Sequence, residues 1–450
     1  MPDDSIKKIL GSVTIPPEII EEFRSSVKNI GDFKNIIEKT ISKSTTDLVD
    51  MILFGSIEFD ASDIHLEPQE DQAKLRVRLD GILQDVVFFE QNIYRSLLSR
   101  IKLLSKLKLN ITDKPQDGRF SIEINKTLVE IRTSSLPAEY GESVVLRILN
   151  PKNLIDLSDL GLREDLYKVF QKEIEKPNGM IIVTGPTGSG KTTTLYAFLK
   201  KIQNPEVKII TIEDPIEYHL KGISQTQVAP EKGYTFADGL KSIVRQDPDV
   251  ILVGEIRDLE TAKISLQAAL TGHLVLSTLH TNDASGTIPR LIDLGTESSS
   301  IAPALKMAVA QRLVRKVCKK CSILENPKPE ELSKIKKGLE PLLLKSKIKF
   351  PDLNKIKIAR VKKDGCDFCN FTGFKGRQGL FEAFLVDSEM EKFILTNPPV
   401  SSIRNLAIKK GMITMYQSGL LDVVEGKTTL EEVKRAVEED EFFENPKSEI

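Results

Sequence analysis

The run Gly185-Pro186-Thr187-Gly188-Ser189-Gly190-Lys191-Thr192 constrains this chain more than any other feature, because a G-x4-G-K-[ST] spacing has meaning only where a buried strand turns into a helix. Both flanks are present: the apolar GMIIVT precedes it, and TTTLYAFLKKI, with apolar positions at helical spacing, follows. The glycines let backbone N–H groups close around a phosphate at a helix N-terminus. Lys191 neutralises β- and γ-phosphate oxygens, and the Thr192 hydroxyl is offered to Mg²⁺, with Thr193 in the same first turn. The expected ligands are ATP and Mg²⁺.

Around this loop, continuous Val/Ile/Leu runs alternate with helical patterns: GMIIVTG, VKIITIED, DVILVGE and HLVLSTLH. Strands apolar on both faces imply a mostly parallel sheet covered on both sides, so the fold class is α/β with a doubly wound nucleotide-binding core. The expected organisation is a short helical lead-in at 1–45, a small α/β domain at 46–150, a linker at 151–160 and the P-loop core at 161–317. A cysteine-bearing element with a Lys-rich insertion at 318–380 and a helical region at 381–450 complete it. The small domain is read from RFSIEIN, KLRVRLDG and TLVEIRTSS, interleaved with the helical IYRSLLSRIKLLSKL.

In such sheets, carboxylates at the carboxyl ends of strands face the ligand crevice. DVILVGE delivers Glu255, expected in the Mg²⁺ shell through water. TIEDPIE delivers Glu213, the candidate for orienting the attacking water, with an acidic cap at a Pro turn as the alternative reading for it and more so for Glu217. His273 and His280 bracket the strand HLVLSTLHT; His280 lies at the carboxyl end and is the better placed to sense a γ-phosphate. Arg132, Arg147, Arg245 and Arg257 could each place a guanidinium on transition-state charge, and spacing does not choose among them.

The four cysteines form two Cys-x2-Cys knuckles, Cys318/Cys321 and Cys366/Cys369, 44 residues apart. Four thiolates make a closed site suited to structural Zn²⁺; an iron–sulfur centre or unused thiols are the alternatives. The 64 basic and 65 acidic side chains nearly cancel, so no whole-chain attraction to nucleic acid or anionic lipid is expected. The Lys-rich ENPKPEELSKIKKGLEPLLLKSKIKF reads as a solvated face, with contact to anionic headgroups as the second reading. No stretch approaches the roughly 18 apolar residues of a membrane span, and MPDDSIKKILG lacks the order of a secretory signal, which predicts a cytoplasmic chain.

These motifs resemble, in their order, the secretion ATPase superfamily, specifically the type II secretion and type IV pilus assembly ATPases. The likeness runs from about Thr46 to Arg435 through ASDIHLEP, RVRLDG, PQDGR, RTSSLPAEYGESVVLR, VTGPTGSGKTTTLY and TIEDPIEY. It continues through RQDPDVILVGEIRDLETA, GHLVLSTLHTND, AQRLVRKVC, GCDFCNFTGFKGRQGLFE and MITMYQSGLLDVVEGKTTLEEV. The resemblance implies a homo-hexameric ring, each subunit pairing a small PAS-like α/β domain with a RecA-like core, working on an inner-membrane platform protein at the inner face of the cytoplasmic membrane. It favours Arg132 and Arg147 as the arginines that reach nucleotide phosphates, and supports Glu213, Glu255 and His280 in the roles above. The tetracysteine element is typical of the assembly and secretion branch rather than of retraction motors. Relatives often carry a large N-terminal domain for docking at the membrane, whereas about 45 residues precede the small domain here. A nucleic-acid translocase on the same core is the rival reading, disfavoured by the balanced charge.

Overall fold

In QAKLRVRL every second residue is apolar, and the strand it forms buries Ala73, Leu75, Val77 and Leu79 on one face while its polar side chains stay at least partly exposed. That alternation builds the first of two compact units in a computed structural model that describes residues 12–343 and 352–440. The start of the expected lead-in, Lys-rich residues 344–351 and the tail from 441 lie outside the described residues.

The first unit comprises residues up to Asn153 together with Cys318–Cys321 and Lys362–Lys375. Its elements are β1 (Ser12–Thr14), α1 (Pro17–Ser26), α2 (Ile30–Thr40), α3 (Thr45–Glu58), β2 (Asp63–Pro68), β3 (Gln72–Leu79) and β4 (Ile82–Glu90). Then follow α4 (Gln91–Leu104), β5 (Gln116–Ile124), β6 (Thr127–Ala138) and β7 (Gly141–Leu149). They form a seven-stranded sheet in the order β1-β5-β6-β7-β2-β3-β4. Its pairings are antiparallel apart from β1 on β5. The lead-in is not an appendage. Ile19 and Phe23 of α1 and Phe33, Ile36 and Ile37 of α2 enter the same apolar core as the sheet, with Phe23 edge-on to both Phe33 and Phe54.

Among the described residues, this unit buries the ion pair of Lys102 and Glu142. Lys102 Nζ donates to both Glu142 carboxylate oxygens at 2.7 and 3.0 Å and to the Ile111 carbonyl at 2.7 Å; Ser135 donates to the same carboxylate. The two side chains are 2% and 5% exposed. Removing one partner strands the other charge, so Lys102→Met is expected to cost roughly 3–5 kcal/mol in denaturant unfolding. Lys102→Met combined with Glu142→Leu should recover part of that loss.

The second unit comprises 154–317, 322–361 and 376 onward. The span expected as one element, 318–380, is thus shared between the units. Here lie α5 (Glu164–Ile174), β8 (Gly179–Thr184), α6 (Lys191–Ile202), β9 (Ile209–Glu213), β10 (Ser224–Gln227), α7 (Phe236–Val244), β11 (Val250–Val253) and α8 (Leu259–Leu270). They are followed by β12 (Leu274–Leu279), α9 (Thr287–Asp293), α10 (Ser298–Ala304), β13 (Leu305–Val317), β14 (Ile323–Glu325), α11 (Pro329–Leu343) and β15 (Ile358–Arg360). Strand β16 (Phe374–Leu385) and helices α12 (Ser388–Ile394), α13 (Val400–Lys409), α14 (Met415–Val424) and α15 (Leu430–Ala436) close the chain.

The main sheet runs β10-β9-β11-β12-β8-β13-β16, parallel from β10 through β13, as the apolar runs predict. Alternate residues of β8 feed different cores: Met180 and Ile182 pack on one face, Ile181 and Val183 on the other. Both faces are therefore dry, and β8 pairs along its length with β12 on one side and β13 on the other. The strand that ends in the glycine loop is central, with its carboxyl end open to a crevice between neighbouring strand ends. No helix among the described residues is long and apolar enough to cross a membrane.

Candidate functional site

The glycine loop leaves β8 at Thr184 and enters α6 at Lys191. Gly185, Gly188 and Gly190 all have positive φ (147°, 79° and 91°), and a Cβ on Gly185 would lie 2.6 Å from the Gln311 carbonyl oxygen. Gln311, 2% exposed on β13, also accepts a 2.7 Å bond from Thr194 of α6, fixing the helix beneath the loop. Lys191 Nζ donates to the Gly185 and Pro186 carbonyls at 2.8 and 3.1 Å. Burial lowers its pKa, partly offset by the Glu255 carboxylate. Pro186, Thr187, Gly188 and Thr192 are exposed around the cradle, and Ser189 Oγ is buried with no partner in the structure. A glycine loop running into a helix N-terminus, whose first-turn N–H groups have no partner within the helix, together with a lysine and the orphaned Ser189 hydroxyl, fits a polyphosphate.

Glu255 sits just beyond β11, tied to β12 because Thr278 Oγ1 donates to the Gly254 carbonyl (2.7 Å) and the Ile256 N–H donates to the Thr278 carbonyl (3.1 Å). Arg257 pairs with the Glu255 carboxylate, and His280 Nε2 lies 3.6 Å from it. Burial and the Lys191 cation hold the His280 pKa below its ordinary value, against the pull of Glu255. Glu255, His280, Arg257 and Lys191 thus form one electrostatic cluster at the sheet's carboxyl edge. His273, by contrast, bonds the Ala268 carbonyl at the end of α8 (3.0 Å), and Arg245 bonds Ser242 on its own helix.

Glu213 ends β9 and is 3% exposed. Three donors surround its carboxylate: Thr211 Oγ1 at 2.5 Å, Gln225 Nε2 at 3.1 Å and the Tyr196 hydroxyl. Burial raises its pKa; the three hydrogen bonds pull it back.

In the first unit, strand register opposes Arg119 to Arg132, Arg132 to Arg147, Arg147 to Asp63 and Asp63 to Arg78. Directly opposed residues project from the same face, so four arginines and one aspartate share a row across four pairings. Asp63 accepts from Arg147 and Arg78, each at 3.2 Å. Of this row, Arg132 and Arg147 are the arginines expected from the sequence; Arg78 of RVRLDG and Arg119 of PQDGR join them only through strand register.

The four cysteines converge. Sγ separations are 3.8 Å for Cys318–Cys366, 3.8 Å for Cys321–Cys369 and 3.7 Å for Cys366–Cys369. No pair is near the roughly 2.05 Å of a disulfide. A metal about 2.3 Å from four tetrahedral sulfurs would hold them roughly 3.8 Å apart, so this donor set fits a structural metal ion. The Cys366 and Gly373 N–H groups donate to Cys369 Sγ, each at 3.2 Å, as a knuckle around a thiolate requires. Gly365 is obligatory at this turn: its φ is +51°, and a Cβ would lie 2.4 Å from the Phe371 carbonyl carbon. The second knuckle bonds α2, Asn29 Nδ2 to Asp367 at 3.1 Å and the Ile30 N–H to Asn370 Oδ1 at 3.1 Å.

Comparison with known proteins gives the family. The family described as "Type II/IV secretion system protein" matches residues 38–435. The type II secretion system protein E of Xanthomonas campestris pv. campestris is 39% identical, the alignment covering 94% of this chain and 72% of that one. The type IV pilus assembly ATPase PilB of Thermus thermophilus is 42% identical over 83% of this chain and 41% of its own length. A crystal structure of the pilus retraction motor PilT with ADP bound superposes with a TM-score of 0.57 at 27% identity, covering 85% of this chain and 95% of that one. The phosphate cradle and the match across most of its length together make this chain a P-loop ATPase that belongs to the type II/IV secretion system protein family.

Proposed function

We propose that this chain is the motor subunit of a type IV pilus assembly or type II secretion machine, working as a homo-hexamer at the cytoplasmic face of the inner membrane against a platform membrane protein. The observation that carries the reading is the cluster of Lys191, Glu255, His280 and Arg257 at the mouth of the glycine loop, in a chain of this family.

Residues Gly185–Thr193 hold the triphosphate, with Lys191 leaving its loop carbonyls for the β- and γ-phosphate oxygens. Thr192 and, through water, Glu255 would hold Mg²⁺, which supplies charge neutralisation on those oxygens. Glu213 orients the attacking water. Its oxygen bonds the γ-phosphorus as the bond from that phosphorus to the bridging oxygen breaks, ADP leaves with the electron pair, and the water's proton passes to the carboxylate. His280, held neutral, is placed to read the γ-phosphate, and Arg257 to answer changes in charge at Glu255. The arginine row containing Arg132 and Arg147 supplies cations to the transition state. Differential binding of ATP and ADP to two arrangements of the units makes the motion. The cysteine cluster holds Zn²⁺ as a structural ion. Contact of the Lys-rich stretch with anionic lipid belongs to the same proposal as a peripheral attachment.

The test is ATP hydrolysis by size-fractionated protein, with and without the cytoplasmic part of a platform protein, and with nucleic acid in parallel. Turnover confined to hexamers and raised severalfold by the platform partner is expected. Stimulation by DNA or RNA alone, weakened by salt, would move the load to nucleic acid.

A further inference from the structure

The P-loop helix contributes more than its first turn. Tyr196 lies five residues beyond Lys191 on α6, is 2% exposed, and its phenol reaches the Glu213 carboxylate. Its ring packs edge-on to Tyr218 at 6.2 Å, in the loop after β9, so the hydroxyl has little freedom to turn away. The other groups facing Glu213 are Thr211 from its own strand, Gln225 from β10 and the Glu217 carboxylate from the following loop; β11 is followed there by the backbone of Gly254. The Glu213 carboxylate is held by three neutral donors, of which Tyr196 alone comes from the helix that grips the phosphates.

We propose that Tyr196 is a positioning residue for hydrolysis: its hydroxyl holds the Glu213 carboxylate in one orientation, joining the phosphate cradle and the water-orienting carboxylate into a single rigid piece. The proposal rests on the reading of Glu213 given above. Geometry favours it over simple core packing. A tyrosine placed for packing alone would send its hydroxyl to solvent or a backbone carbonyl, whereas this one ends on a buried carboxylate at a strand end beside the crevice. The consequence has a definite sign. Burial raises the Glu213 pKa and the phenol opposes that rise. Removing the phenol therefore moves the titration of Glu213 upward.

The experiment is the pH profile of kcat and of KM for ATP in the assembled protein. Tyr196→Phe is expected to move the acid limb of kcat up by about one unit, a loss of roughly tenfold below the limb that recovers toward the alkaline end, with KM changed by about twofold or less. Replacement of Tyr196 by 3-fluorotyrosine, which keeps the ring and makes the hydroxyl a stronger donor, should move the limb downward. This variant decides the matter should Tyr196→Phe fail to fold. An acid limb at the wild-type position in these variants, or a uniform loss at every pH, overturns the proposal and leaves Tyr196 a packing residue. Glu213→Gln separates the two layers of argument. If that variant still turns over, the reading of Glu213 falls and this inference with it; if it is inactive while the Tyr196 variants keep the wild-type limb, only the role of Tyr196 falls.

Discussion

Glu213→Gln is expected to lower ATP turnover by roughly 10²- to 10⁴-fold while leaving ATP bound. The amide is close to isosteric with the carboxylate but carries no charge and accepts no proton, so the attacking water loses its orienting base. The phosphate cradle depends on other contacts: the glycine loop at the N-terminus of α6, the Gln311–Thr194 bond and the Lys191 ammonium. Binding of a fluorescent ATP analogue measured beside kcat checks both halves. Undiminished turnover would transfer the role to Glu255, which already lies in the cluster with His280 and Arg257. Lys191→Ala offers the contrast, since it removes charge from the phosphates themselves and should weaken binding as well as turnover.

Loss of the metal proposed for the cysteine cluster is expected to loosen the first unit locally rather than to unfold the chain. Cys369→Ser removes one of four ligands and the sulfur that accepts from Cys366 and Gly373 N–H. Metal analysis should fall from about one zinc per chain to near zero, because three remaining thiolates no longer make a closed site. Amide protection in 318–321 and 362–375 should drop by at least roughly tenfold in hydrogen exchange, since metal binding and folding of such knuckles are one event. The effect should spread into the first turn of α2, where Asn29 and Ile30 are bonded to Asp367 and Asn370, while the amides of α6 keep their protection. Full zinc content in that variant, or unaltered exchange after metal removal, would show that the knuckles hold themselves together without an ion.

The features legible in the sequence are those whose chemistry is contiguous. The glycine loop is read directly because the strand, turn and helix it needs are neighbours in the chain. The two Cys-x2-Cys pairs are read because each fixes its own turn, and four thiols without a fifth leave few alternatives. Runs such as IIVT announce a strand buried on both faces, and β8 indeed sends its side chains to two cores. Choosing His280 over His273 also followed from strand direction: the first lies at the carboxyl edge of β12 and the second caps α8.

Other relations depend on register and on contacts between residues far apart. The row Arg119, Arg132, Arg147 and Arg78 exists only because four antiparallel pairings, with Asp63 as the link between Arg147 and Arg78, align them; a one-residue slip would turn a strand's arginine to the other face. The amphipathic helices before residue 45 give no sign of how much core they share, which shows only where Phe23 packs on both Phe33 and Phe54. Nor does any spacing link Tyr196, Glu213 and Gln225, or bring Asn29 to a cysteine knuckle 338 residues away. The sequence by itself determined which ligands this protein can hold, because phosphate cradles and thiolate knuckles are built from adjacent residues whose backbone geometry is local. Only the tertiary structure decided which carboxylate is caged, which arginines stand together and what the second cysteine knuckle clasps. Those are set by burial and strand pairing, forces that act through space without regard to distance along the chain.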